Sequence, residues 1–357
     1  MSYRFLICGL PPGLNSGVGR LLLAAESEYR SKGYRIITPR PRKSGRVLFE
    51  QSRYFALAAE LLLRLVDRLI FIFRCLPIRG CSVILIHPQT IGFRLLFWLC
   101  RSNSISIYVM DNSYFCIRSY NCHPITASEC LHCVTKLSPF AECDPYPVGI
   151  PKTEAIRGLK NLARISEQIL FLVQNQKQSE LLRLHFGPST RTSLVGLPVD
   201  IVSHRLTHTR PTDGLYPDIV FHGVTSYAKG VNYIVALADL MPSYTFLIPD
   251  SAINIHSCLN ITSLPSNISC YPMTWESGLQ DYVVNAKVVI HPSQWSAPIE
   301  GALIKSAKLN SNVATVSTLF GYEAEANTIR NHIRLSPDPH RGALQLDIAI
   351  QDITKRL

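Results

Sequence analysis

A cluster of cysteines is the densest group of reactive side chains in the sequence. Five of the eleven cysteines fall between positions 116 and 143, namely Cys116, Cys122, Cys130, Cys133 and Cys143. Cys130 and Cys133 are separated by two residues, the spacing at which two thiolates can bind one tetrahedral Zn²⁺. We therefore predict a structural zinc site with Cys116, Cys122, Cys130 and Cys133 as ligands. Unligated thiols are the alternative and stay open; disulfides are disfavoured because nothing in the sequence indicates export.

Two glycine-containing turns have the composition of anion-binding loops. The stretch 13–20 carries Gly17 and Gly19 between a predicted strand and a predicted helix. Backbone N–H groups can approach an anion there without interference from a Cβ atom, although many ordinary tight turns also contain glycines. Lys229 and Gly230 follow a second predicted strand, so an ammonium group and a helix N-terminus would meet the same phosphates. A solvated lysine is the alternative, and its position after a strand favours phosphate binding.

The elements that must hold these residues alternate between strand and helix. In the first half, the predicted strands are 3–8, 34–38, 82–87, 104–110, 168–173 and 190–194; in the second half they are 218–224, 244–249, 268–271, 287–291 and 313–317. This alternation is typical of βαβ units on a parallel sheet. We predict an α/β fold with two Rossmann-like domains, 1–202 and 203–357, with the polar stretch 203–217 as the linker. A ligand cleft is expected at the carboxyl ends of the strands, and an irregular, cysteine-rich segment (111–148) interrupts the first domain.

The composition is that of a globular protein with its positive charge concentrated in the first 80 residues. Hydrophobic residues make up 47% of the chain and charged residues 17%, which argues against disorder. Of the net charge of +11, residues 1–80 contribute 14 Lys and Arg against five Asp and Glu. A basic face suits an anionic partner such as a membrane leaflet or a lipid-phosphate acceptor; a solvated face without a partner is the alternative. No signature of a nucleic-acid-binding module occurs, so nucleic acid is not expected as a partner.

The most apolar stretch of the sequence, 55–76, is interrupted by five charged residues. We expect it to form a helix that is largely buried or lies at an interface, because no apolar run is long enough to span a bilayer. The N-terminus lacks the longer apolar region and the cleavage site of a signal peptide. The expected location is therefore the cytoplasm, with peripheral contact to the inner face of the membrane as a further expectation.

The sequence resembles the GT-B glycosyltransferases, specifically the retaining group called family 4, over nearly its whole length. The stretch 13–20, with Gly17 and Gly19, looks like the family's glycine-rich first loop. Lys229 and Gly230 look like the pair that contacts the donor diphosphate in the family. Members usually have an Arg a few residues earlier in that loop, where this chain has Ser226 and Tyr227.

A second stretch, 289–307, resembles the family's donor-site segment, in which a strand ends in Pro-Ser before a loop and a helix. Most members have two glutamates eight positions apart there, and Ala297 and Lys305 occupy the matching positions in this chain. The resemblance implies Ser293, Glu300 and Lys305 as donor-binding residues, with Glu300 as the donor-site carboxylate. A favourable first-turn charge on a helix is the alternative for Glu300.

Two further carboxylates fall where the resemblance implies a role. Glu323 lies in the stretch 320–325, which resembles a loop where an acidic residue lies near the donor. Asp111 ends a predicted strand at the point where a related branch of the family carries a cysteine-rich insert. It would orient or deprotonate the acceptor hydroxyl, with helix or loop capping as the alternative. Met110 stands where many members have a histidine.

The resemblance implies an enzyme that transfers a hexose from a UDP- or GDP-sugar to a glycan or lipid-linked acceptor, in bacterial surface polysaccharide synthesis. The donor would bind the C-terminal domain, and the anomeric configuration would be retained. Because Lys229 and helix N-termini would stabilise the departing diphosphate, catalysis would need no metal or other cofactor. The absent glutamate pair and the absent Arg support an alternative, a catalytically inactive GT-B-like scaffold that binds partners. A nucleotide-sugar epimerase is a third interpretation.

Overall fold

The N-terminal half forms a six-stranded parallel sheet. The structure is a computed structural model that describes residues 3–13, 17–42, 48–49, 51–197, 216–322 and 326–356. The strands are β1 (Arg4–Cys8), β2 (Tyr34–Ile37), β3 (Ser82–Ile86), β4 (Ser104–Tyr108), β5 (Leu170–Val173) and β6 (Arg191–Leu194), in the order β2-β1-β3-β4-β5-β6. The helices are α1 (Gly17–Ser31), α2 (Tyr54–Cys75), α3 (Pro88–Ile91), α4 (Phe93–Cys100), α5 (Lys152–Ile165) and α6 (Gln176–Phe186).

The C-terminal half forms a second six-stranded parallel sheet. Its strands are β7 (Ile219–Phe221), β8 (Phe246–Ile248), β9 (Ile268–Cys270), β10 (Val288–His291), β11 (Asn312–Val316) and β12 (Asn331–Leu335), in the order β12-β11-β10-β7-β8-β9. Its helices are α7 (Val231–Leu240), α8 (Ala252–Leu259), α9 (Gln280–Asn285), α10 (Gly301–Leu309) and α11 (Pro339–Arg356). The predicted α/β class with two parallel sheets is confirmed.

Both sheets are buried on their two faces, as parallel sheets require. In β3, Val83 and Leu85 pack into one apolar core, whereas Ile84 and Ile86 pack into the core on the opposite face. Successive side chains of a strand point to opposite faces, so a continuous apolar run supplies both cores at once. The same alternation occurs in β10.

Each sheet has a point at which the order of strand addition reverses. In the first sheet β1 pairs with both β2 and β3, and in the second β7 pairs with both β8 and β10. Loops that leave the carboxyl ends of such neighbouring strands diverge and open a crevice for a ligand. A ligand site is therefore expected at two places. One is formed by the loops after β7 and β10 in the second sheet, and the other by the loops after β1 and β3 in the first.

Several local predictions differ from the structure. The stretch between β3 and β4 forms two helices, α3 and α4, instead of one, because Gly92 between them has a φ of 94°. Helix α8 and strand β12 were not predicted; the polar residues His332 and Arg334 interrupt the apolar pattern of β12 at a sheet edge. The helix expected at 55–76 is present as α2; most of its residues are exposed, so the expected burial is not found, and the alternative of a helix at an interface stays a prediction. The predicted domain boundary at 202/203 lies outside the described residues.

No helix among the described residues has the length and apolar character needed to cross a membrane.

Candidate functional site

An ion pair lies at the switch point of the C-terminal sheet. Lys229 comes from the loop after β7, and Glu300 immediately precedes α10, which follows β10. The Nζ atom of Lys229 lies 2.7 Å from Oε1 of Glu300, and their side chains are only 20% and 8% exposed. Ser293 Oγ donates a hydrogen bond to the same carboxylate oxygen. Three residues that the sequence singled out in two separate motifs therefore meet at one point.

Two aromatic rings enclose the ammonium group of Lys229. The Nζ atom lies 5.1 Å from the ring centroid of Trp295 and 5.7 Å from that of Tyr120. The two rings contact each other edge to face, with centroids 4.6 Å apart. A cation close to aromatic rings in this way is stabilised by the ring quadrupole. Tyr120 belongs to the cysteine-rich segment, so the N-terminal half supplies part of this site.

Gly230 fixes the loop of Lys229 against the loop after β10. Its φ is 78°, and a Cβ atom built on it would lie 2.0 Å from the carbonyl oxygen of Pro292. Only glycine therefore allows the close approach that brings Lys229 beside Ser293 and Glu300. Helix α7 begins at Val231, two residues after Lys229 rather than at it.

Two buried histidines line the neighbouring ends of β7 and β10. The ring of His222 stacks on Trp275 with centroids 5.1 Å apart, and its Nδ1 lies 2.8 Å from Ser306 Oγ. His291 lies 5.4 Å from His222, and neither of its ring nitrogens has a hydrogen-bond partner within the described residues. Burial, reinforced by the charge of Lys229, lowers the pKa of His291 to about 3. His291 is therefore a neutral polar group at physiological pH.

Lys305 lies on helix α10, next to the ring of Trp275. Its Nζ atom is 5.1 Å from the ring centroid of Trp275. Burial and then the charge of Arg20 lower the pKa of Lys305, against the opposing charge of Glu276. Arg20 belongs to α1 of the N-terminal half, so a positive charge of that half acts on Lys305. Lys305 itself stands where the family resemblance would have a glutamate.

The glycines of the first loop lie at the start of α1. Gly17 is the first residue of the helix and Gly19 lies in its first turn, at the carboxyl end of β1. The N–H of Gly13 donates to the carbonyl of Gly19 at 3.3 Å. Residues 14–16 of this loop lie outside the described residues, and so does Glu323, whose prediction therefore has no structural outcome.

A histidine and an aspartate form a buried pair at the carboxyl edge of the N-terminal sheet. His87 follows β3 and Asp111 lies just after β4. His87 Nε2 lies 3.0 Å from Asp111 Oδ2, and the other carboxylate oxygen accepts the backbone N–H of Ser113 at 2.9 Å. Met110 stands in the sequence position where a histidine was expected, and His87 on the neighbouring strand contacts Asp111 instead.

The protonation of this pair is set by two opposing effects. Burial lowers the pKa of His87, but the charge of Asp111 and its hydrogen bond outweigh burial, so this pKa is raised above its ordinary value. Burial raises the pKa of Asp111, but the charge of His87 and the hydrogen bonds from His87 and Ser113 outweigh it, so this pKa is lowered. The pair therefore favours imidazolium and carboxylate together.

The cysteine-rich segment bridges the two halves. The side-chain amide of Asn121 donates to Ser296 Oγ at 2.7 Å, and its oxygen accepts the N–H of Ser296 at 3.0 Å. The carboxylate of Glu129 accepts the backbone N–H groups of Leu319 and Phe320 at 2.6 and 3.1 Å. These bonds hold the segment across the carboxyl edge of the C-terminal sheet, next to Lys229 and Glu300.

The cysteines of this segment pack as apolar residues. All eleven thiols of the chain are free. Within the described residues, no group of three or more His, Cys, Asp or Glu side chains is placed to hold a metal ion. Burial raises the pKa of the Cys122 and Cys133 thiols to about 11. The zinc site predicted at Cys116, Cys122, Cys130 and Cys133 therefore has no support in the structure.

Sequence reasoning found part of this site and missed the rest. It placed Lys229, Gly230, Ser293 and Glu300 in one donor region, and the structure brings them together. It missed the groups whose partners are distant in the chain, namely His87, Tyr120, His222, Trp275 and Trp295. The signal that was available for Trp295 was its position inside the 289–307 segment; for the other residues only the topology supplies the proximity.

Several solved protein structures resemble this chain in fold over nearly its whole length. No protein-family model matches the sequence, and no curated protein matches it significantly. A sucrose-phosphate synthase from Thermosynechococcus elongatus superimposes with a TM-score of 0.63 at 12% identity, covering 99% of this chain and 90% of that one. HepE from Anabaena, solved in complex with UDP-glucose, has a TM-score of 0.60 at 12% identity, covering 99% and 91%.

A third similar structure is WaaG, a glycosyltransferase involved in lipopolysaccharide biosynthesis, with a TM-score of 0.56 at 14% identity, covering 97% of this chain and 90% of that one. These structures are GT-B glycosyltransferases, and at such low identity the likeness establishes the fold. The chain has the GT-B fold, with two six-stranded parallel sheets flanked by helices.

Proposed function

We propose that this protein is a glycosyltransferase that transfers a sugar from a nucleoside-diphosphate sugar to an acceptor hydroxyl. The observation that carries the proposal is the meeting of Lys229, Ser293 and Glu300 at the switch point of the C-terminal sheet. The GT-B fold supports it, because one similar structure, HepE, is in complex with UDP-glucose. The alternative of an inactive scaffold rests on the sequence alone, on the absent glutamate pair and the absent Arg, and the fold neighbours do not favour it.

The donor diphosphate is proposed to bind at Lys229. Its oxygens would compete with Glu300 for the ammonium group, which pairs with that carboxylate at 2.7 Å. Lys229 would then stabilise the negative charge that develops on the leaving diphosphate. Glu300, held by Ser293, would lie near the sugar carbon on which positive charge develops.

The acceptor is proposed to lose its proton to His87. The Nε2 atom of His87 is engaged with Asp111. The Nδ1 atom of His87 has no hydrogen-bond partner within the described residues and is therefore the nitrogen that would accept the proton. The acceptor oxygen forms a bond to the anomeric carbon. The bond from that carbon to the diphosphate oxygen breaks, and its electron pair leaves with the diphosphate. Asp111 stabilises the imidazolium that results.

The resemblance to family 4 supports four further properties of this reaction. They are a UDP- or GDP-hexose as the donor, a glycan or lipid-linked saccharide of bacterial surface polysaccharide as the acceptor, retention of the anomeric configuration, and action on the cytoplasmic side of the membrane. Lys229 and the start of α7 supply positive charge at the diphosphate, which supports catalysis without a divalent metal.

Turnover of the nucleotide-sugar donor tests whether the protein transfers sugar. The purified protein is incubated with UDP-, GDP-, ADP- and dTDP-sugars and an extract of lipids and polysaccharide from the cells that make it. We expect nucleoside diphosphate to be released from one nucleotide class only, and release to fall at least about a hundredfold in Asp111→Asn. Binding of a donor without release from any of the four would contradict the proposal. NMR of the product would give its anomeric configuration.

A further inference from the structure

Helix α2 exposes an apolar face to solvent. We define the α2 apolar face as the following exposed side chains: Phe55, Leu61, Leu62, Leu63, Leu65, Val66, Leu69, Ile70 and Phe73. Phe55 is 96% exposed, Phe73 68% and Leu62 63%. At 3.6 residues per turn, Leu62, Val66, Leu69 and Phe73 lie within about 40° of Phe55 around the helix axis. The helix has 22 residues and is roughly 33 Å long, and the face covers about 27 Å of it.

Glu60, Asp67 and Arg68 lie on the other half of α2, towards the protein. Glu60 and Asp67 are only 8% and 7% exposed. Asp67 accepts from Arg42 at 2.6 Å, and Glu60 accepts from Arg64 of the same helix at 3.3 Å. Arg68 donates to the carbonyl of Thr90 in α3 at 3.0 Å. A surface helix of a globular protein normally has the opposite arrangement, so this face is built to meet an apolar surface.

The flanks of the face are cationic and aromatic. Arg53 directly precedes α2 and Arg74 lies in its last turn. Phe49 and Tyr54, both 60% exposed, contact each other at the N-terminal end with ring centroids 6.1 Å apart. Residues 1–80 carry 14 of the 36 Lys and Arg of the chain against five acidic residues. Leu and Phe on one face with basic residues at the borders are the features of a helix that lies in a membrane interface.

The same charges argue against a second copy of the chain as the occupant. If two α2 faces packed antiparallel, Arg53 of one copy would approach Arg74 of the other; if they packed parallel, each arginine would approach its own counterpart. Both arrangements bring like charges together at the rim of an apolar contact, where they are destabilising. An anionic lipid surface is complementary to every one of these charges.

We propose that the α2 apolar face docks the protein on an anionic lipid bilayer, with the helix axis in the plane of the membrane. The side chains of the face enter the acyl boundary while Arg53 and Arg74 contact lipid phosphates. The charged half of α2 remains on the protein, so the helix lies on the bilayer and does not cross it. This docking is independent of the proposed sugar transfer and stands or falls on its own measurement.

The experiment is co-sedimentation of the full chain with vesicles of phosphatidylcholine, with and without phosphatidylglycerol. We expect the wild type to sediment with the anionic vesicles and Leu62→Glu/Phe73→Glu to partition about tenfold less or weaker still. The matched control is Leu344→Glu/Ile348→Glu, which adds the same charge at exposed apolar positions of α11 and should bind as the wild type does. Far-ultraviolet circular dichroism checks that both variants are folded.

Three outcomes would overturn the proposal. The first is equal binding of the α2 variant and the control variant, and the second is no preference for anionic vesicles. The third is a wild type that is dimeric by light scattering, becomes monomeric with Leu62→Glu/Phe73→Glu and ignores vesicles, which would assign the face to a second copy.

Discussion

Lys229 and Glu300 neutralise each other in a site from which most water is excluded. An ion pair in such surroundings is stronger than one on the surface, but each partner depends on the other to offset the loss of hydration. A diphosphate that binds Lys229 must replace this partner. The aromatic rings of Tyr120 and Trp295 keep the ammonium group in place during such an exchange.

Removing Lys229 should expose this dependence. Lys229→Met leaves the Glu300 carboxylate with the Ser293 hydroxyl as its remaining partner among the described residues, and we expect the free energy of unfolding to fall by roughly 3 kcal/mol. Lys229→Met/Glu300→Gln should recover a large part of this loss because no buried charge is left alone. Urea unfolding measures both. The control is Lys177→Met. The ion pair of Lys177 with Glu180 is on the surface, with side chains 40% and 43% exposed, so its loss should lower the free energy of unfolding by less than about 1 kcal/mol. No recovery in the double variant would argue against a coupled pair.

His87 should give the reaction a characteristic pH dependence. A base must be deprotonated, and the pKa of His87 is raised, so kcat/KM should rise with pH through a pKa above about 6.5. In Asp111→Asn the burial of His87 remains and lowers its pKa, so the rise should move below about 6.5 and kcat should fall. A pH series of initial rates measures this, with the exposed Asp144→Asn as the control. An unchanged profile in Asp111→Asn would remove His87 from the role of base.

The same pair contributes to stability over a defined pH range. The contribution of His87 is present below its unfolded pKa and is lost as the pH rises through its raised folded pKa. The contribution of Asp111 is present above its unfolded pKa and is lost as the pH falls through its lowered folded pKa. Between these limits the pair is fully formed.

The proximity of the predicted donor-site residues was readable from the sequence because one motif carries two of them. Ser293 and Glu300 are seven positions apart in one stretch, and Lys229 follows the neighbouring strand of the predicted sheet. His87 was not predicted, because its contact with Asp111 needs the pairing of β3 with β4. Tyr120 was not predicted because it lies in an irregular segment whose path no periodicity describes.

At the scale of elements, the site depends on two loops that leave adjacent strands and lie against each other. Gly230 is the point of closest approach, since its missing Cβ atom makes room for the carbonyl of Pro292. The alternation of apolar strands and amphipathic helices allowed most elements to be predicted. Strand β12 and helix α8 were missed because both are short elements with interrupted apolar patterns.

Gly230→Ala should separate the two loops. The change places a Cβ atom 2.0 Å from a backbone oxygen and demands a left-handed backbone conformation, so we expect a loss of roughly 2 to 4 kcal/mol in stability. Gly33→Ala is the matched control: Gly33 has a φ of 80° with no atom within 4 Å of the added Cβ, and its loss should stay near 1 kcal/mol. Thermal and urea unfolding measure both. Equal losses would mean that the contact with Pro292 is unimportant.

At the scale of the whole molecule, the cysteine-rich segment ties the N-terminal sheet to the loops at the carboxyl edge of the C-terminal sheet. Its predicted zinc site found no support, and hydrogen bonds from Asn121 and Glu129 fix its position instead. The sequence located this segment at the end of β4 but gave no indication that it reaches the other half. Contacts between parts of the chain almost 200 positions apart leave no local pattern to read.

Glu129→Ala should loosen this connection. The backbone N–H groups of Leu319 and Phe320 both donate to the Glu129 carboxylate, and loss of two charge-assisted bonds should speed their hydrogen exchange about tenfold or more. Hydrogen–deuterium exchange of the peptide around 319–320 measures this. Glu142→Ala, an exposed residue of the same segment, should leave the exchange unchanged. If Glu129→Ala leaves it unchanged too, the segment is not held at this point.

Lys229 is proposed to hold the diphosphate of a nucleotide sugar, and calorimetric titration with UDP-, GDP-, ADP- and dTDP-sugars tests this role. We predict that one nucleotide class binds the wild type, and that Lys229→Ala weakens its affinity about tenfold or more. Lys308→Ala, at an exposed position of α10, should bind as the wild type does. Binding of no class to the wild type, or equal binding to Lys229→Ala, would contradict the claim.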